Sequence, residues 1–166
     1  MPSPHQGAAC SPRHPTVGEL LAAGGIHRTS RRFDDAEAVL AWLVEAARWP
    51  ATVDRPALLR QLIEREAQSS TGIGSGIAIP HPGRPDTLGA GAPLLALGLL
   101  EHPAPFRAVD GLPVHAFFLA LAPAVAWHLR LMSCLAALLD RGDVASLLAP
   151  PAASDAEILA LLKRIE

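Results

Sequence analysis

The chain has 166 residues, of which 50% are hydrophobic and 18% charged, a composition typical of one packed globular domain rather than a disordered segment. Its formal net charge of -2 lacks the basic footprint that nucleic-acid binding requires, so no nucleic-acid partner is predicted. The most apolar stretch, residues 116–127, is shorter than the roughly 20 residues that cross a bilayer, so no membrane insertion is expected.

The first predicted feature is a proline-rich leader over residues 1–15, which has no apolar segment typical of a signal peptide and is expected to be disordered. A single domain is predicted over residues 16–166. Its two cysteines, one in the leader and one in an apolar helical stretch, indicate neither a disulfide framework nor a zinc site and favour a reducing cytoplasm.

Three helices are predicted next. Thr16 and Glu19 have the spacing of a capping box, and the helix that they begin ends at the glycines 24 and 25. A short strand or extended connection follows at residues 26–27. The second helix begins at residues 34–37 and stops before Pro50, and the third begins at Asp54, with Pro56 just inside its start.

Strands are predicted in the middle of the chain and helices at its end. Residues 71–80 alternate small residues with isoleucine, which predicts a strand entered through a glycine-rich turn. The apolar runs 94–100 and 114–121 are short enough to be buried strands. A helix begins at Ala124 or Val125, and a capping box at residues 154–157 begins a terminal helix that runs to Lys163. This order predicts an α/β domain with a mixed sheet covered by helices.

His81 is the first candidate for chemistry, because it follows a predicted strand and lies between Pro80 and Pro82. The ends of strands hold reactive groups rigidly while the loops beyond expose them. The local pattern alone leaves two interpretations open, a reactive imidazole and a structural one. The glycines at 72, 74 and 76 indicate no nucleotide site, because neither a helix nor a Lys-Ser/Thr pair follows them.

His128 is the second candidate, since it falls in the first turn of a predicted helix, where the helix dipole favours an anion. A neutral imidazole there can donate to a phosphoryl oxygen or orient His81, although a surface histidine beside Trp127 fits the pattern equally. His102 and His115 are the other two histidines that could take part in chemistry or bind a metal. No two of these histidines have the helical spacing of metal ligands, so no metal site is predicted.

Several segments resemble one known family. Residues 71–81, Thr-Gly-Ile-Gly-Ser-Gly-Ile-Ala-Ile-Pro-His, resemble the active-site signature of the IIA domains of the fructose/mannitol phosphotransferase class, which includes the nitrogen-regulatory IIA branch. Residues 62–66 resemble the family's Arg-Glu segment, residues 106–114 its next characteristic stretch, and residues 128–135 the helix with its second active-site histidine. The resemblance extends over roughly residues 20–166.

The resemblance implies a mannitol-type EIIA fold, a single domain with a mixed, roughly five-stranded sheet covered by α-helices. It also implies that His81 accepts a phosphoryl group from a phosphorylated histidine-phosphocarrier protein (HPr/NPr-like). His128 would support the phosphoryl group and Arg65 would neutralise its charge, although a helix-end ion pair with Glu66 is another interpretation of Arg65. No cofactor or metal is implied.

The resemblance leaves three functions open. The domain either passes phosphate to a IIB domain, or signals through phosphorylation-dependent binding of a regulatory target protein, or is a degenerate scaffold without chemistry. Pro82 departs from the glycine that many members have after the histidine, and it removes a backbone N–H that could face the phosphoryl group. Since the sequence contains neither a IIB nor a IIC domain, regulation is the favoured expectation.

Overall fold

A computed structural model describes residues 14–84, 86 and 88–166. Most of the predicted leader, residues 1–13, therefore lies outside the described residues. Six α-helices and five β-strands occur within the described ranges. They are α1 (Val17–Gly24), β1 (Ile26–Thr29), α2 (Ala36–Ala46), α3 (Arg55–Gln68), β2 (Gly72–Gly74), β3 (Ile77–Ala78), β4 (Leu94–Ala104), β5 (Val114–Leu121), α4 (Val125–Leu139), α5 (Gly142–Leu148) and α6 (Asp155–Ile165).

The five strands form one mixed sheet in the order β1-β4-β5-β3-β2. β1 is parallel to β4 and β3 is parallel to β5, whereas β4 with β5 and β2 with β3 are antiparallel. The α/β class and the five-stranded mixed sheet that were predicted are thereby confirmed.

Helices cover both faces of this sheet. Alternate residues of β4 and β5 point to opposite faces, so Leu97 and Phe118 pack with α1, α4 and α6, whereas Phe117 and Leu119 pack with α2 and α3. Burial on both sides explains why these strands are nearly continuous apolar runs instead of alternating with polar residues.

The predicted helix starts are confirmed where the sequence offers a capping side chain. Thr16 accepts from the Glu19 N–H and completes a capping box, and Ser154 does the same at the start of α6. Asp35 and Asp54 cap α2 and α3. Each such side chain bonds one of the N–H groups that the first turn leaves without a partner.

The prediction of one strand over residues 71–80 is wrong. The segment forms a hairpin of β2 and β3, because Gly74, Ser75 and Gly76 all have positive φ, at 98°, 53° and 74°. Ser75 remains in this unfavourable conformation while its N–H donates to Oδ2 of Asp110 at 2.8 Å. The hairpin returns the chain so that Thr71 lies beside Ile79.

Two further elements differ from the prediction. β4 continues to Ala104, four residues beyond the predicted end, with a register shift against β5 after Leu99. Helix α5 was not predicted, since no side chain caps its start and it begins with Gly142. Among the described residues, no helix combines the length and apolar character needed to cross a membrane.

Candidate functional site

His81 lies just beyond the end of β3, on a segment fastened to the centre of the sheet. The Pro80 carbonyl accepts from the N–H of Ala120 on β5 at 2.9 Å, and Ile79 is buried. The Nδ1 of His81 lies 2.8 Å from the carbonyl oxygen of Ile79. Because a carbonyl oxygen only accepts, the proton lies on Nδ1, and in the neutral ring the lone pair is on Nε2.

His128 approaches His81 from the first turn of α4. The two ring centroids lie 5.0 Å apart and their planes are inclined by 47°. The N-cap position is Ala124, which has no side chain to bond the first N–H groups of the helix. Uncapped N–H groups and the positive end of the helix dipole therefore lie on the helix turn that carries His128, an environment that suits an anion.

Arg65 lies in the last turn of α3, where its Nη1 donates to the carbonyl oxygen of Ser69 at 2.8 Å. Its positive charge contributes to lowering the pKa of both His81 and His128. The structure thus places the three residues predicted from the sequence within one electrostatic neighbourhood. The alternative of a side-chain ion pair between Arg65 and Glu66 does not occur, because the Glu66 carboxylate bonds Thr71.

Burial favours the neutral form of both imidazoles of this site. Desolvation is the main cause that lowers the pKa of His81 below the ordinary value of 6.5. The charges of Arg65 and His128 assist it, whereas the hydrogen bond to Ile79 and the charge of Glu66 oppose it. Desolvation likewise lowers the pKa of His128. A neutral His81 has a nucleophilic lone pair at physiological pH, whereas a protonated one does not.

Two residues of α3, Gln61 and Glu66, hold the segment around His81 through contacts that the sequence does not predict. Gln61 is buried, and its Oε1 accepts from the N–H of Arg84 at 3.0 Å, beyond the histidine. Glu66 bonds Thr71, which directly precedes β2 and accepts from the N–H of Ile79 at 3.0 Å. A signal existed for Glu66, since a carboxylate in the last turn of a helix opposes the helix dipole and indicates another partner.

A recess of about 250 Å³ opens beside the loop that follows His81. Two guanidinium groups, those of Arg65 and Arg84, are part of its wall, and such groups suit phosphate oxygens. The lining residues are Gln61, Glu64, Arg65, Gln68, Gly83 and Arg84.

The remaining candidate histidines lie elsewhere. His115, on β5, packs against Gly76 at the start of β3, and its buried Nε2 has no hydrogen-bond partner among the described residues. His102 is in the second half of β4. Within residues 14–84, 86 and 88–166, no three His, Cys, Asp or Glu side chains form a group able to hold a metal ion.

Curated relatives and a solved structure resemble this chain. The nitrogen regulatory protein of Pseudomonas aeruginosa is 42% identical over 93 residues, 55% of this chain and 58% of that protein. The fructose-specific EIIABC component of Bacillus subtilis is 36% identical over 107 residues, 63% of this chain and 16% of that protein. The crystal structure of nitrogen regulatory protein IIA-Ntr from Neisseria meningitidis matches with a TM-score of 0.73 and 25% identity, covering 88% of this chain and 98% of that one.

The chain therefore matches just over half the length of the Pseudomonas protein and a small part of the Bacillus protein. The profile of one family matches far more of it, residues 20–165. That match agrees with the mixed sheet and with the histidine that follows β3. The chain belongs to the EIIA 2 family of the phosphoenolpyruvate-dependent sugar phosphotransferase system.

Proposed function

We propose that His81 is a phosphoryl acceptor, which takes its phosphoryl group from a phosphorylated histidine-phosphocarrier protein. The observation that carries this proposal is the hydrogen bond from Nδ1 of His81 to the Ile79 carbonyl, which leaves the lone pair on Nε2. The ring of His128, 5.0 Å away, and the uncapped start of α4 support it.

The transfer needs no proton movement at His81. The Nε2 lone pair attacks phosphorus while the N–P bond of the donor breaks, and that bond's electron pair returns to the donor imidazole. His81 keeps its Nδ1 proton in the hydrogen bond to Ile79 throughout. Positioning and charge neutralisation therefore matter more than acid–base catalysis, as in phosphoryl transfer generally.

The neighbouring groups have separate tasks in this mechanism. His128 donates an N–H to a phosphoryl oxygen, and Arg65 offsets the added negative charge. The N–H groups at the start of α4 add the field of the helix dipole. Pro82, which is buried, contributes no N–H, so the phosphoryl group depends more on these other donors. No metal or cofactor takes part in the proposed reaction.

Regulation is the function that we infer for the phosphorylated state. The phosphoryl group carries roughly two negative charges, and the ring that keeps its Nδ1 proton becomes a cation, so the site gains about one net negative charge. Such a change beside exposed surface can switch the binding of a partner protein. The resemblance to nitrogen regulatory proteins of two bacteria favours a regulatory target in the cytoplasm over a sugar carrier.

A carrier role is the second candidate. The resemblance to a fructose-specific EIIABC component favours it, with His81 passing its phosphoryl group to a IIB domain of a separate protein. Both candidates require phosphorylation of His81, whereas a degenerate scaffold does not.

Incubation with phosphoenolpyruvate, enzyme I and the phosphocarrier tests the shared step. Intact mass spectrometry should show the gain of one phosphoryl group, its loss in His81→Ala and its retention in the control His102→Ala. No gain of mass by the wild type, under conditions that phosphorylate another IIA protein, would establish the scaffold. Transfer onward to a IIB domain would then support the carrier, and state-dependent capture of another protein would support the regulator.

A further inference from the structure

We propose that Glu66 is a positioning residue for His81, acting through Thr71 and Ile79 to fix the ring orientation and to keep the proton on Nδ1. This inference deepens the proposed function and rests on it, because it concerns the same histidine. Glu66 itself touches neither the imidazole nor the site of the incoming phosphoryl group.

Glu66 is a buried carboxylate at a position where burial needs a compensating partner. Its side chain is 3% exposed, and it lies in the last turn of α3, where the helix dipole disfavours a negative charge. Its oxygens accept from the Thr71 N–H at 3.0 and 3.2 Å and from the Thr71 hydroxyl at 2.6 Å. A buried charge is tolerated only with such bonds, so Glu66 and Thr71 hold each other in one arrangement.

Thr71 links Glu66 to Ile79, which lies opposite Thr71 beyond the other end of the β2–β3 hairpin. The Thr71 carbonyl oxygen accepts from the N–H of Ile79 at 3.0 Å. The carbonyl on the other side of Ile79 accepts from Nδ1 of His81 at 2.8 Å. A continuous series of hydrogen bonds therefore joins the Glu66 carboxylate to the imidazole, and each link fixes the peptide group that makes the next.

Loss of the Glu66 carboxylate would weaken the first hydrogen bonds of this series, those between Glu66 and Thr71. The Thr71 N–H and hydroxyl would lose charged acceptors inside the protein, and the peptide groups of residues 71 and 79 would gain freedom to rotate. The Ile79 carbonyl would then hold Nδ1 less firmly, so the neutral ring would populate the form with its proton on Nε2. That form offers no lone pair to phosphorus at Nε2.

Glu66→Gln tests this prediction, with Glu45→Gln as its matched control. Both changes remove one negative charge from the last turn of a helix, but Glu45 is exposed on α2 and Glu66 is buried on α3. We expect the rate of His81 phosphorylation to fall about tenfold in Glu66→Gln, less than the ~100-fold that a 1 Å misplacement can cost. Glu45→Gln should remain close to the wild-type rate.

The ring itself supplies a readout that needs no phosphorylation. Nitrogen-15 NMR of the unphosphorylated protein reports which nitrogen of His81 carries the proton. The wild type and Glu45→Gln should hold it on Nδ1, and Glu66→Gln should show a mixture of the two forms. An unchanged proton position together with an unchanged rate in folded Glu66→Gln would overturn the positioning role.

Thr71→Val and Thr71→Ser keep the inference testable if Glu66→Gln does not fold. Valine removes the hydroxyl that bonds the Glu66 carboxylate, whereas serine retains it. Thr71→Ser should therefore hold the His81 proton on Nδ1 as the wild type does, and Thr71→Val should show a mixture of the two forms. Identical spectra for both variants would contradict the proposal. A wild type that holds the proton on Nδ1 but takes no phosphate would instead refute the proposed function alone.

Discussion

His81 has its two ring nitrogens in different environments, and this difference determines the chemistry that we propose. Nδ1 donates to the Ile79 carbonyl oxygen at 2.8 Å, so the lone pair that can attack phosphorus is on Nε2. The local pattern, a histidine between two prolines beyond a strand, leaves a structural role open, and the resemblance to the IIA family is what identifies His81 from the sequence. The sequence does not predict the reactive nitrogen, because that depends on a carbonyl two residues earlier whose direction is set by the hairpin.

Substitution of His128 tests the donor that we assign to it. We expect His128→Ala to lower the rate of His81 phosphorylation by about 100-fold, the usual effect of removing one donor that stabilises a charged transition state. His128→Gln retains an N–H and should recover part of the loss. Time-resolved mass spectrometry measures both rates, and an alanine variant as fast as the wild type would exclude this role.

The charge of Arg65 should be visible in the titration of both histidines. Because the guanidinium contributes to the lowered pKa of His81 and of His128, Arg65→Gln should raise the pKa of each. Arg60→Gln is the matched control, since Arg60 is exposed on the same helix. NMR titration of the imidazole C–H signals checks the prediction, and midpoints that stay in place after Arg65→Gln would contradict the proximity of the three groups.

At the level of elements, the β2–β3 hairpin is what brings the site together. It places Thr71 beside Ile79, which lets α3 act on the His81 segment through Glu66. The sharp turn requires glycine at residue 76, whose φ is 74° and whose Cα faces the ring of His115. A Cβ added there would lie 2.2 Å from a carbon of that ring.

Gly76→Ala should therefore destabilise the fold by about 2–5 kcal/mol. This range combines about 1–2 kcal/mol for a side chain in the left-handed region with about 1–3 kcal/mol for overpacking. Gly91→Ala is the control, because a Cβ at Gly91 would meet no other described residue within 4 Å and this glycine has no positive φ. Urea denaturation measures both variants, and equal stability of the two would show that the turn tolerates a side chain.

The elements differ in how far the sequence predicts them. Helix starts with Thr, Asp or Ser caps are found correctly because a single side chain determines each of them. The hairpin is missed, since alternating glycine and isoleucine fit a strand as well as a turn until backbone angles are known. The partners of Gln61 and Glu66 are not predicted, because both lie five or more residues away and become neighbours only when the chain folds. The position of Glu66 in the last turn of α3 indicates only that the carboxylate needs a partner.

Across the whole molecule, folding takes several histidine side chains partly out of water together with the apolar core. Three histidines, His81, His115 and His128, each have a pKa lowered below 6.5, with desolvation as the main cause. The unfolded chain therefore binds protons at a higher pH than the folded protein does at these positions.

This difference predicts that stability falls with acidification. The free energy of unfolding should decrease as the pH drops through 6.5, because protons then bind preferentially to the unfolded chain. His115→Gln should weaken this dependence, since one of the three neutral imidazoles is removed. Urea denaturation at about pH 7.5 and about pH 5.5, on either side of the ordinary histidine pKa, gives the comparison. A stability that does not change or rises toward the lower pH would contradict it.

The most direct test of the central proposal is to locate the phosphoryl group by NMR. The nitrogen-15-labelled protein is phosphorylated through the phosphocarrier, and phosphorus coupling and nitrogen shifts identify the modified ring nitrogen. We predict a phosphoryl group on Nε2 of His81, with Nδ1 still protonated and bonded to the Ile79 carbonyl. A phosphoryl group on Nδ1 of His81, on another histidine, or on no histidine at all would contradict the proposal.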